Sequence, residues 1–243
     1  MIDWKEKFIN TEYELKSGKC VVIDYVDQTR VKIRLENGYE TWTNLTALRK
    51  GTVKTPFNKT CCGIGYRGIG LYGEDHPAHH RWNCIISRCY NPKDKDYRNY
   101  GAKGVTVCEE WHNFQNFAKW FDDNCKDPTY CMDKDLLSNG TKEYSPKYCC
   151  LLPTAINSIL VDSHHGNLPY GVKKKIKRPG YEANIRKYGK RIYLGYFPTI
   201  EEAFAVYKEH KEAFIKELAE KYKDTISEEA YLALMNFTIN IDD

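Results

Sequence analysis

Lys173, Lys174, Lys175, Lys177, Arg178, Arg186, Lys187, Lys190 and Arg191 crowd one short stretch, with Glu182 as the only carboxylate between them. Cations at this density neutralise phosphates along a nucleic-acid backbone and release its counterions. The competing reading is a solvated charged face with no partner. A second set, His76, His79, His80 and Cys84, carries metal-ligand chemistry, but its spacing also suits an exposed polar helix start, which is the reading preferred. The ten cysteines contain no Cys-x-x-Cys pair. Cys61-Cys62 and Cys149-Cys150 are adjacent and Cys84 and Cys89 five apart, so no structural zinc is expected. The thiols read as buried small hydrophobes.

The elements that carry the cationic cluster are legible. Tyr170 to Lys177, Tyr181 to Lys187 and Arg191 to Gly195 read as three short strands, with turns at Pro179-Gly180 and Gly189. Thr199 followed by Glu202 is a capping box. Ala203, Phe204, Tyr207, Phe214, Leu218 and Tyr222 then repeat at three- and four-residue intervals, as on one face of a helix. A last short helix is predicted over about 228–236. Strand alternation sends one set of side chains onto the long helix and the other outward. A cationic sheet backed by an apolar helix tips the reading from solvated face to nucleic-acid footprint, with double-stranded DNA as the partner.

Earlier in the chain, Val31, Ile33 and Leu35 alternate with Lys32, Arg34 and Glu36, the period of a half-buried strand. Asn37-Gly38 predicts a type I′ hairpin, whose two central residues both need positive φ. Short strands joined by tight turns suggest a small β-barrel or curled sheet. Glycines from Gly51 to Gly73 read as a flexible stretch after it. Beyond lie a helix over His80 to Cys89, stopped by Asn91-Pro92, and a helix with the aromatic stripe Trp111, Phe114, Phe117, Trp120 and Phe121. That stripe reads as core. A further short helix is predicted from Pro153, carrying Ile156, Asn157, Ile159 and Leu160. The organisation expected is therefore α+β: a small β-barrel-like module with its Gly-rich linker (1–73), a central module (74–165), and a three-stranded sheet packed on a helix (166–243).

The chain has 243 residues, 37 Lys and Arg against 33 Asp and Glu, and a formal net charge of +4, so charge placement matters more than charge total. No apolar run approaches the ~20 residues that cross a bilayer. The first residues show no apolar secretory segment, so a cytoplasmic location and no membrane partner are expected.

Tyr170-Gly171-Val172, Tyr181-Glu182-Ala183-Asn184-Ile185, the run Gly189 to Phe197, Thr199-Ile200-Glu201-Glu202-Ala203 and Tyr207 resemble the plant ethylene-response-factor (apetala-type) DNA-binding domain, which also occurs in phage and homing-endonuclease proteins. The resemblance covers about 168–222. It implies a three-stranded sheet that reads the major groove, with Arg178, Arg186, Lys187, Lys190 and Arg191 touching DNA. The strand-borne tryptophan of that family is missing here. Lys173, Lys175 and Lys177 join the expected DNA-binding set through the electrostatic reading.

Arg88-Cys89-Tyr90-Asn91-Pro92, Tyr100-Gly101-Ala102-Lys103-Gly104-Val105, Val107-Cys108-Glu109-Glu110-Trp111, Asp133-Lys134-Asp135, Tyr144-Ser145-Pro146 and Asn157 resemble phage proteins described as HNH-like (His-Me finger) endonucleases. The resemblance covers most of 80–160. It implies a ββα module in which Asp133 and Asn157 hold Mg²⁺ or a similar divalent metal against the scissile phosphate. Lys134 stands where the catalytic histidine belongs, and Lys134 and Asp135 are the catalytic candidates. A lysine is an ammonium at neutral pH and takes no proton from water; it can stabilise charge on phosphorus. His112, His164 or His165 could be brought in by folding. The predicted function is a DNA-binding, metal-dependent endonuclease of homing type. The alternative is a catalytically degenerate phage factor that binds DNA, or a host protein through the N-terminal β module.

Overall fold

The computed structural model describes residues 4–160, 168–175 and 178–242. Helices and several small sheets are mixed along the chain, and no closed barrel forms among the described residues. The chain divides into two compact units, Met1–Lys119 and Trp120–Asp243.

In the first unit, helix α1 (Trp4–Phe8) precedes strands β1 (Glu12–Leu15), β2 (Gly18–Asp27), β3 (Arg30–Leu35) and β4 (Glu40–Thr43), and α2 (Leu45–Arg49) follows. The four strands form one antiparallel meander in sequence order, open at β1 and β4 rather than barrelled. Val31, Ile33 and Leu35 are buried as their alternation predicts, in a core with Val22, Leu45 and Leu48. The β3–β4 hairpin departs from the type I′ expectation. Only Gly38 takes positive φ, at 84°. The Gly38 N–H donates to Leu35, and the Leu35 N–H to Tyr39 across a three-residue loop. Asn37 instead accepts the Tyr39 N–H on its side chain. A glycine after a type I turn closes this longer loop and relieves Asn37 of the left-handed conformation.

Helix α3 (Pro77–Tyr90) starts three residues before the predicted His80. Pro77 suits the first turn, and His76 caps it by accepting the Ala78 N–H at 3.3 Å. Trp82, Ile85, Ile86 and Cys89 are buried on one face. The Trp82 indole donates to the carbonyl of Trp111 at 2.7 Å. A short strand β5 (Thr106–Val107) follows. Helix α4 (Phe114–Asn124) begins in this unit; Trp111, Phe114 and Phe117 are core as the stripe predicts, but Trp111 lies in a short turn of helix before α4 and Trp120 is only half-buried.

In the second unit, strands β6 (Cys131–Asp133), β7 (Glu143–Tyr144) and β8 (Cys150–Leu152) lead into α5 (Thr154–Leu160). β6 and β8 pair antiparallel, with Asp133 opposite Cys150. Strands β9 (Val172–Lys174), β10 (Tyr181–Lys187) and β11 (Lys190–Phe197) form an antiparallel sheet in the order β11-β10-β9. Helix α6 (Ile200–Lys221) covers one face, its first turn closed by the predicted cap, Thr199 accepting the Glu202 N–H. Helix α7 (Glu228–Met235) ends the order. Cys150, Leu152, Ile156 and Ile159 share one hydrophobic core with Val172, Ile185, Phe204, Phe214, Leu218 and Leu234. The β6–β8–α5 piece and the C-terminal sheet are thus packed around a common interior.

Candidate nucleic-acid interface

The register of the C-terminal sheet decides which cations face solvent. Val172, Ala183 and Ile185 are buried against α6, with Leu194 and Phe197 packed beside them. The opposite face shows three cross-strand rows: Lys173, Glu182 and Tyr196; Asn184 and Tyr193; Arg186 and Arg191. A bulge at Ala183/Asn184 leaves Leu194 unpaired in β11. That extra residue puts Tyr193 and Tyr196, three apart, on the same outward face. Both are exposed, Tyr193 by 57%.

Lys173, Arg178, Arg186, Lys190 and Arg191 are exposed and bridge to no carboxylate among the described residues. Arg186 and Arg191 sit directly opposite each other. Like charges so placed repel. Arg191 also donates from Nε to Asn184 at 3.1 Å, and the Arg178 guanidinium lies 6.0 Å from the Tyr196 ring. Four of the nine cations lie elsewhere: Lys174 and Lys190 stand in the rows of Tyr181 and Lys187, on the helix side of the sheet. Lys175 is neutralised by Glu182 at 2.7 Å. Lys187 turns to the helix side, its ammonium 4.8 Å over Phe214 on α6. Lys177 lies outside the described residues.

The hairpin that carries the arginine pair is tied down at its tip. Tyr188 and Gly189 both take positive φ, 49° and 78°, which is the type I′ turn. A tyrosine is costly in the left-handed region. Here the ring packs edge-on against Phe214 at 5.1 Å, and the hydroxyl donates to Glu217 at 2.9 Å. That carboxylate raises the Tyr188 phenol above its ordinary value. Asn184, Tyr188, Tyr193 and Tyr196 were not among the predicted contacts. For Asn184 and Tyr193 the signal was available as their two-residue spacing from Arg186 and Arg191.

The expected metal and catalytic residues fall on β6, the loop after it and α5. Asp133 ends β6, is only 7% exposed, and accepts on Oδ1 the backbone N–H groups of Asp135 at 2.9 Å and Leu136 at 2.8 Å. Burial raises its carboxyl above the ordinary value, partly offset by those two N–H groups. Its strand neighbour Cys150 is a buried thiol, raised by the same loss of solvent. The Lys134 ammonium pairs with exposed Asp135 and lies 6.0 Å from the Tyr144 ring. Asn157 is half-buried on α5. Among the described residues, no three of His, Cys, Asp or Glu gather to hold a metal ion. Asp133 thus uses Oδ1 to close its own loop, with the Lys134 ammonium next in the chain. His112 approaches the Val107 carbonyl at 3.1 Å within the first unit, while His164 and His165 lie outside the described residues. Of the other histidines and cysteines, His76 is a helix cap, His79 packs on Phe114 at 5.0 Å, and Cys84 lies 3.6 Å from His80.

Comparison with protein-family models, curated proteins and solved structures finds no match to this chain. No helix among the described residues is long and apolar enough to cross a membrane.

Proposed function

We propose that this protein binds double-stranded DNA through the outward face of the β9–β10–β11 sheet. The observation that carries the reading is the Arg186–Arg191 pair: two exposed guanidinium groups held opposite each other on a braced hairpin. Their repulsion is a cost in the free protein that a polyanion removes. Tyr193 and Tyr196 beside the cations add groups that can contact base edges or sugars, and Asn184 holds Arg191. Lys173 and Arg178 extend the charge along the backbone of the duplex. Lys187 contributes by packing the hairpin onto α6.

The mode is binding without hydrolysis. The β6–β8–α5 piece supplies core to the sheet, and Asp133 supplies a loop closure. The test is a gel shift and a nicking assay run side by side on supercoiled plasmid with Mg²⁺, Mn²⁺ or EDTA. Retarded, intact DNA under all three conditions is expected. Metal-dependent nicking that disappears in an Asp133→Ala/Asn157→Ala variant would replace this mode with the endonuclease one.

A further inference from the structure

The tip of the β10–β11 hairpin carries cations on both of its sides. Arg186 and Arg191 stand on the outward face, whereas Lys187 and Lys190, the pair that flanks the turn, stand on the helix side. Helix α6 adds a third lysine there. The Lys221 ammonium lies 5.3 Å over the Tyr188 ring, as that of Lys187 lies 4.8 Å over Phe214. An aromatic ring attracts an ammonium and fixes its place without cancelling its charge. The carboxylates on the last turns of α6 bond to tyrosines: Glu217 accepts the Tyr188 hydroxyl at 2.9 Å, and Glu220 that of Tyr231. Neither of them, nor exposed Asp224 beyond the helix, bridges to a lysine among the described residues. Tyr188 itself sits at φ 49°, a conformation that the asparagine usual in such a turn takes with less strain. What the tyrosine supplies is the ring, which packs on Phe214 and carries Lys221. Strain kept at one residue points to a use beyond closing the turn.

We propose that Lys190 and Lys221 form a second phosphate-binding pair, which takes the backbone of the strand opposite the one met by the outward cations; this rests on the DNA-binding reading above. A two-stranded ribbon lying in a groove about 12 Å wide has a sugar–phosphate wall on either side of it. A ribbon charged on one face serves one wall, and this tip is charged on both. Lys190 and Lys221 are exposed and belong to the same compact unit as the arginine pair, on the same hairpin and the helix that braces it. Glu217 offsets part of the charge, but two arginines and the three lysines Lys187, Lys190 and Lys221 surround the tip against it.

The test measures the salt dependence of binding with the full chain, on a labelled duplex and on a single strand of equal length. Lys190→Gln/Lys221→Gln is compared with the wild type and with Lys216→Gln/Lys223→Gln, a control that removes two other exposed lysines near the end of α6. Lys187 is left in place because it packs on Phe214. With one phosphate lost per lysine, the first variant should flatten the duplex slope by about 1.8, so that between 50 and 200 mM salt its affinity falls about 12-fold less than that of the wild type. On the single strand, which offers no second wall, its slope should match the wild type's. The control should match the wild type on both. An unchanged duplex slope, while Arg186→Gln/Arg191→Gln flattens it, would overturn the second pair and leave the sheet reading standing. Equal flattening by the control, or on the single strand, would overturn it in favour of diffuse charge. Failure of the wild type to bind any duplex would overturn both readings.

Discussion

Replacing Arg186 and Arg191 by glutamine removes two of the four outward cations that have no carboxylate partner among the described residues, leaving Lys173 and Arg178. If each of the four neutralises one phosphate, the slope of log affinity against log salt from this face alone is about −3.6, and two give about −1.8. Between 50 and 200 mM salt this face should then weaken binding about 150-fold in the wild type and about 12-fold in the variant. Fluorescence anisotropy of a labelled duplex across that range reads both slopes directly. Because the pair is repulsive in the free protein, the same variant should melt no lower than wild type, and removal of a like-charge cross-strand pair can add about 0.2–1 kcal/mol. Weaker binding without loss of stability separates a binding role from a structural one. Identical slopes, or an affinity indifferent to salt, would refute the assignment of this face.

At Asp133, alanine leaves the part-buried N–H groups of Asp135 and Leu136 without their acceptor and should cost about 1 kcal/mol in denaturant unfolding, whereas asparagine keeps an acceptor and should cost little. Because burial raises this carboxyl in the folded state, its contribution is fully present below the ordinary carboxylate value and is lost as pH rises through the raised one. Asp133→Asn should abolish that fall; an unchanged acid-side stability profile would refute it. Gly171 has φ of 73°, and a Cβ there would run into the Tyr207 ring, so Gly171→Ala should destabilise by about 1–3 kcal/mol, read by thermal melting. Burial, with Cys62 and Cys84 nearby, pushes the Cys61 thiol up to about 12. Maleimide at neutral pH should therefore label exposed Cys62 and Cys84 well before Cys61, as peptide mass spectrometry would show.

What was local in the chain was legible from it. The Thr199 cap, the apolar face of α6, the three strands and most of the aromatic stripe depend on spacing of a few residues and formed near where that spacing predicts, though the first strand shortens to Val172–Lys174 and Trp111 falls before its helix. The cationic cluster was legible as charge, but its division between faces was not. One unpaired residue, Leu194, brings Tyr193 and Tyr196 to the same side, and Phe214 draws Lys187 to the other. The turns show the same limit. Asn37-Gly38 carries the usual type I′ residues, yet the type I′ turn forms at Tyr188-Gly189, where Phe214 and Glu217 hold a tyrosine in the left-handed region. Asp133 reads as a metal ligand by resemblance and as a loop closure by its hydrogen bonds. The glycines after β4 read as a linker and fold as a frame, because Gln115, more than forty residues on from Arg67 and Tyr72, supplies their partners. Spacing and caps are properties of neighbouring residues and are written in the chain; register, facing and clamping depend on groups that only tertiary packing brings together.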